Sequence, residues 1–316
     1  MGQTGSPTFL EWTLSHRWIR DKEAGEVLPF SLKRYPWLRY IYKAIGDLLP
    51  NGRAVIKKAA QIGATELAIN FSFFHLDGLG SVFYALPPGP VQNDFAHARI
   101  DPAVGASPHI LGMVEDIDNV GLKVFQDGFN LYIRGTNVTK GDPRRAAQLS
   151  EAPADIAIMD EFDRIPPAAV PLVRARLEDS VVRKEICLST PTYPDVGIDT
   201  EYQTTKCYEP QIKCTKCGQW YWLDWTLIRG PVADDPHARV MCPVCRVPID
   251  RTNMWDEDQP GGARARWEPQ NPEATDVGFW IPRLVSERAD LDEMWARSKA
   301  IKDLDIDPDK PFPVSQ

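Results

Sequence analysis

The chain has no apolar run long enough to cross a membrane, which for a helix takes about 20 residues. Its first residues, MGQTGSPTFLEW, lack the charged and apolar regions of a secretory signal. They fit the short Met-Gly-x-x-x-Ser pattern of N-myristoylation, but no basic cluster follows to support an anchor. An excess of positive charge is missing as well. With 36 Lys and Arg against 44 Asp and Glu, the net charge is −8, which excludes a uniformly basic nucleic-acid coat and leaves room for a local basic patch. No internal repeat is visible. Cysteines are few: of six, four fall into two pairs, Cys214/Cys217 and Cys242/Cys245, while Cys187 and Cys207 stand alone. That spacing suits a metal site in a reducing, cytosolic compartment better than a disulfide framework.

What is present is otherwise ordinary for a globular protein, with 43% hydrophobic and 25% charged residues. A chain of 316 residues can bury one large core and a smaller one. Residues 1–50 are rich in aromatic residues and read as helical. From 53 the pattern changes. RAVIKKA reads as a buried strand and ATELAINFSFFHLDG as a helix stopped by Gly78. SVFYALP is a second strand, and PVQNDFAHARIDPAV is helical. LKVFQDGFNLYIRG reads as a hairpin turning at Asp127-Gly128. ADIAIMDEFDRI is a short apolar strand ending in carboxylates, AVPLVRARLEDS a helix, and KEICLSTPT a further strand. Strands alternating with helices over 53–192 indicate an α/β domain with a largely parallel sheet. The division expected is an N-terminal helical segment over 1–50, an α/β core over 51–205, a cysteine module over 206–252 and a C-terminal segment and linker over 253–316.

The segment KKAAQIGATEL lacks the lysine that ordinarily follows the glycine of a phosphate-binding loop; Ala64 stands there. The rest of the geometry is kept: a strand, a tight loop with Gly63, a hydroxyl at Thr65, then a helix whose N–H groups face an anion. Lys58, at the start of the loop, could fold back to the phosphates, and Thr65 could serve Mg²⁺. Alone, the loop also reads as a solvated Lys57/Lys58 pair before a core helix. The IAIMDE strand changes that balance. It delivers Asp160 and Glu161 to the sheet's C-terminal edge, where ligands bind in open α/β folds. Asp160 is placed to hold Mg²⁺ and Glu161 to polarise the attacking water. Ser189 and Thr190, in CLSTPT, end a strand where they could sense the γ-phosphate. CTKCG and CPVCR are two Cys-x-x-Cys knuckles whose four thiolates suit tetrahedral Zn²⁺. The aromatic WYWLDW between them either fills a small core or stacks on nucleotides.

KKAAQIGAT, IAIMDEFD and LSTPT, in this order, resemble the ATPase half of the large terminase subunit of tailed bacteriophages, in the lambda-like branch. That branch carries a loop of form Lys-x-x-x-x-Gly-x-Ser/Thr, which Lys58 to Thr65 matches. The resemblance implies a P-loop ATPase of the ASCE or RecA-like class with a zinc-ribbon-like insertion. It implies ATP and Mg²⁺ held by Lys58, Gln61, Gly63, Ala64, Thr65, Glu66, Asp160, Ser189 and Thr190, with Glu161 catalytic. It further implies an arginine finger acting in trans, for which Arg144 and Arg145 are the candidates. Double-stranded DNA, a homo-oligomeric ring, a portal protein and a small terminase subunit are the implied partners, in the host cytoplasm and without a membrane. A nuclease domain, usual in that family, is not expected within these 316 residues. A helicase-like ATPase, or a zinc-containing DNA-binding or assembly module with a degenerate nucleotide site, are the alternatives.

Overall fold

The computed structural model describes residues 6–20, 25–137, 149, 152–232 and 235–302. The N-terminal part holds helix α1 (Phe9–His16), a small hairpin of β1 (Trp18–Arg20) and β2 (Val27–Pro29), and α2 (Leu38–Gly46). The expectation of a helical first 50 residues is therefore met only in part, since the hairpin interrupts the helices. Next come β3 (Arg53–Lys58), α3 (Ala64–Leu76) and β4 (Val82–Leu86). Helices α4 (Val91–Phe95), α5 (Asp101–Ala106) and α6 (Pro108–Met113) follow, with a π-helical turn over Ala96–Ile100 joining the first two.

Three antiparallel strands then succeed one another: β5 (Val114–Asn119), β6 (Leu122–Phe125) and β7 (Asn130–Gly135). The hairpin read from LKVFQDGFNLYIRG is β6–β7. Asp127 and Gly128 both take positive φ, 65° and 78°, as a tight turn between twisted strands requires. The core continues through β8 (Ile156–Asp160), α7 (Val170–Arg174), β9 (Lys184–Ser189) and α8 (Ile198–Gln203). Helix α7 is only five residues long and passes into a tighter turn over Ala175–Leu177, shorter than the helix read from AVPLVRARLEDS. The remainder comprises β10 (Tyr208–Lys213), β11 (Trp220–Trp222), β12 (Ile228–Arg229), β13 (Arg239–Val240), β14 (Ala265–Pro269), β15 (Val277–Ile281) and α9 (Leu291–Lys302).

Among the described residues one sheet holds eleven strands, in the order β11-β10-β15-β3-β9-β8-β4-β7-β6-β5 with β14 on β10. From β10 to β7 all neighbours run parallel. Parallel strands lie covered on both faces, and β4 and β8 are buried at all five positions. Side chains along each strand alternate between two apolar layers. Ala54, Ile56, Tyr84, Ile156 and Ile158 join the layer containing α3, which α1 and α2 cover. Val55, Phe83, Ala157 and Met159 join the other, with Tyr202 of α8 and Val173 of α7. Helix α3 is buried on nearly every side, because α1 packs over it through Phe9 and Phe71.

Two features were not read from the sequence. Strand β15, from the segment expected to be tail, pairs directly with β3. Strand β10, from the cysteine module, continues the same sheet. The sheet thus crosses the expected boundaries at 205 and 252.

Candidate nucleotide site and cysteine centre

The order β3-β9-β8 puts one strand between the lysine-bearing strand and the carboxylate-bearing strand. At about 4.8 Å per strand, the two are separated by roughly 10 Å. Lys58 nevertheless reaches across: its Nζ lies 3.3 Å from Glu161 Oε1. Strand parity explains which lysine does this. Lys58 shares the α3 face with Ala54 and Ile56, and Lys57 points the other way. Lys57 meets Asp199 at 2.8 Å and sits over the rings of Tyr202 and Trp280, at 4.5 and 4.9 Å. The two adjacent lysines are therefore not equivalent. Lys58 is only 6% exposed, and a buried ammonium requires an anionic partner.

The loop between β3 and α3 turns through two left-handed residues, Gln61 at φ 59° and Gly63 at φ 87°. A Cβ on Gly63 would approach Leu38 Cδ1 to 3.0 Å and Tyr35 Cδ1 to 3.3 Å, so both backbone and space call for glycine. Trp37 Nε1 donates to the Ile62 carbonyl at 3.3 Å and fixes the loop from behind. Gly63 is the N-cap of α3 and offers no side-chain cap. The first-turn N–H groups of this thirteen-residue helix therefore have no side-chain cap from the N-cap residue. Ala64 is buried in the α3-side core, and Thr65 is half-buried in the first turn.

Asp160 lies at the end of β8, almost fully buried. Its Oδ2 accepts a hydrogen bond from the Tyr84 hydroxyl at 2.9 Å, and its Oδ1 accepts from the Glu161 amide at 2.9 Å. Burial pushes its carboxyl above the usual range, while the Lys58 ammonium draws it back and Glu161 adds to the rise. Glu161 itself is in the left-handed region, at φ 54°. That turn swings its carboxylate off the strand axis to meet Lys58.

Other expected residues are placed differently. Glu66 is engaged by the buried Arg17 guanidinium at 2.6 Å, and Arg17 also donates to Asn70 and Ser107. This ion pair ties the start of α3 to the N-terminal segment. Ser189 Oγ accepts from the Asp163 amide at 3.2 Å and donates to the Thr190 carbonyl at 3.2 Å. It serves the turn after β8, and Thr190 is half-buried beside it. Arg144 and Arg145 fall outside the described residues.

Residues that the sequence reading missed complete the arrangement. Tyr84 carries Asp160. Asp163 binds two separate segments, accepting from the Thr192 and Ile198 amides at 2.7 Å each. Gly197 is the price of that approach, since a Cβ there would stand 2.5 Å from Asp163 Oδ1. The DEFD run was the only local signal for Asp163.

The second centre is built by two knuckles with the same backbone. Gly218 N–H returns to the Cys214 carbonyl at 2.8 Å, and Arg246 N–H to the Cys242 carbonyl at 2.9 Å. Both of these residues adopt positive φ, 74° and 54°. The four Sγ atoms of Cys214, Cys217, Cys242 and Cys245 lie within 4.8 Å of one another. The Cys217–Cys242 separation is 3.8 Å. Four sulfurs at about 2.3 Å from a tetrahedral zinc stand about 3.8 Å apart, so the residues fit that ion. Around them lies a separate small core including Leu223, Leu227, Val240, Ile249 and Met254.

The family described as "Phage terminase large subunit gpA, ATPase domain" matches residues 24–267. No curated protein matches the chain. Among solved structures, the HK97 bacteriophage large terminase is similar at 14% identity and TM-score 0.44, over 55% of this chain and 36% of that one. The large terminase ATPase domain of Thermus phage P74-26 is similar at 14% identity and TM-score 0.39, over 84% and 87% of the two chains. A large terminase from a thermophilic bacteriophage in complex with ADP is similar at 17% identity and TM-score 0.38, over 55% and 42%. The match thus spans 36% of the HK97 enzyme's length and 42% of the ADP-bound one's.

Proposed function

The chain belongs to the family of the phage terminase large subunit gpA, ATPase domain, and from that premise we propose that it is the Mg²⁺-dependent ATPase of a DNA-packaging motor. The observation that carries the reading is Lys58 Nζ lying 3.3 Å from Glu161 Oε1, beside the uncapped start of α3. In this reading Glu161 holds Lys58 until ATP arrives. The lysine then turns to the phosphates, and Glu161 is released to orient the attacking water and take its proton. The α3 N–H groups receive the phosphate charge. Mg²⁺, when bound, neutralises charge on the β- and γ-phosphates; Asp160 and Thr65 would hold it. Zn²⁺ at the four cysteines is structural, because a four-thiolate site leaves no open position for chemistry.

Duplex DNA is the track on which the energy is used, and its contacts go to phosphates, because a translocating motor must accept any sequence. The chain acts in a ring on a portal with a small terminase subunit, in the host cytoplasm. Among the described residues no helix is long and apolar enough to cross a membrane. The test is steady-state ATP hydrolysis with and without duplex DNA, in the presence and absence of portal. Mg²⁺-dependent turnover stimulated by DNA is expected. A chain that binds DNA but neither binds nor hydrolyses ATP would instead be an assembly module with a degenerate loop.

A further inference from the structure

Strand parity brings a third polar side chain to the face that carries Lys58 and Asp160. Tyr84 lies in β4, whose every residue is buried. Strand β4 pairs with β8 in register, Tyr84 opposite Ile158 and Ala85 opposite Met159. Tyr84, Ile156, Ile158 and, by the same alternation, Asp160 all face α3. From there the Tyr84 ring runs along the sheet toward its C-terminal edge, and its hydroxyl donates to Asp160 Oδ2 at 2.9 Å. Phe95, at the mouth of the π-helical turn over Ala96–Ile100, packs on the Tyr84 ring with centroids 4.8 Å apart. The ring therefore has little freedom, and its hydroxyl is fully buried with one carboxylate oxygen before it.

Packing alone does not require that hydroxyl. The neighbours of Tyr84 in its layer are Val82, Leu86, Ile156 and Ile158. A phenylalanine would fill the same volume and leave no polar atom to satisfy. The hydroxyl has a consequence only through Asp160. A carboxylate has two oxygens and about four lone-pair directions. The Glu161 amide takes one direction on Oδ1 and Tyr84 takes one on Oδ2. With a donor on each oxygen the carboxylate plane cannot rotate freely, and its remaining lone pairs point in fixed directions. Groups that orient a metal-facing carboxylate in this way typically change metal affinity by 10- to 100-fold when removed.

We propose that Tyr84 is a positioning residue that fixes the Asp160 carboxylate for the divalent cation of the nucleotide complex. The proposal rests on the nucleotide-binding reading given above. It acts through Asp160 alone, and it touches neither phosphate nor water.

The test uses the whole chain with Tyr84→Phe, which deletes one oxygen and keeps the ring. Binding of a fluorescent ATP analogue is titrated with Mg²⁺ and repeated in EDTA, so that the readout is cation affinity and not turnover. The Mg²⁺ concentration for half-maximal binding should rise by about 10-fold or more, with affinity in EDTA unchanged. In an Asp160→Asn background the same substitution should add little further. An unchanged Mg²⁺ midpoint in Tyr84→Phe, or a shift that persists in full in the Asp160→Asn background, overturns the proposal. If the wild-type chain shows no Mg²⁺-dependent nucleotide binding, it is the nucleotide-binding reading that falls. Should Tyr84→Phe not fold, wild-type protein carrying ¹³C at the tyrosine ζ-carbon serves instead. One buried tyrosine resonance should move when Mg²⁺ is added to the nucleotide complex, and the absence of any such movement counts against the role.

Discussion

Two adjacent lysines in one strand have opposite fates here, and parity alone decides them. Lys57 is neutralised by Asp199 and packed between Tyr202 and Trp280, on the α8 side of the sheet. Lys58 emerges beside the loop between β3 and α3 and touches Glu161. This much was legible in RAVIKKA, because a strand alternates whatever its neighbours are. Tyr84 and Asp163 were not legible. Their partners lie 76 residues away in Asp160 and 29 or more away in Thr192 and Ile198, and nothing local marks such pairs. The partner of Glu66 was illegible for the same reason: the buried Arg17, 49 residues upstream, holds its carboxylate. At this scale the sharpest expectation concerns Glu161. Glu161→Gln should bind nucleotide as the wild type does and lose about 100- to 10,000-fold in turnover, measured as steady-state phosphate release. Turnover within a few-fold of wild type would reassign Glu161 to holding Lys58 and nothing more.

At the level of elements, the strands and helices over 53–192 follow from their apolar pattern, while their order in the sheet does not. The insertion of β9 between β3 and β8, and of β15 beside β3, is fixed by long-range pairing. DVGFWIPR has the apolar alternation of a strand, yet its place next to the loop strand depends on residues more than 200 positions away. The cysteine module shows the opposite case. Its two knuckles were readable from spacing, because the turn geometry after each Cys-x-x-Cys is local. What the spacing concealed is that β10 belongs to the large sheet. Its small core includes Leu284, and Met294 of α9 packs against it. Removal of the metal by a chelator should unfold the knuckle segment over roughly 214–250 without melting the parallel strands from β15 to β7. Hydrogen exchange would show it as lost protection there, with β4 and β8 unchanged. Elemental analysis of the purified chain should find one zinc per chain, and finding none would end the assignment.

At the scale of the whole molecule, the described residues are organised around one large sheet whose two faces carry different contacts. On the α3 face lie Lys58, Tyr84 and Asp160; on the α8 face Arg53 and Lys57 tie β3 to Glu201 and Asp199. Helix α8 also meets the Glu161 turn through Asp163. The sequence pattern suffices to place Lys58 and Asp160 at strand ends on one face, since that depends on local alternation. The connection from that site to the cysteine module depends on chain crossings that no motif records. The claim on which the account turns is that the displaced lysine is the phosphate lysine. It is tested most directly by titrating Mg²⁺ and an ATP analogue into wild type, Lys58→Ala and Lys57→Ala under one set of conditions. The account predicts that Lys58→Ala weakens binding by about 10-fold or more, roughly the worth of one charge-assisted contact, while Lys57→Ala lowers the unfolding temperature and leaves nucleotide affinity within about 3-fold. Equal losses in the two variants, or a Lys58→Ala chain that binds as tightly as wild type, would contradict it.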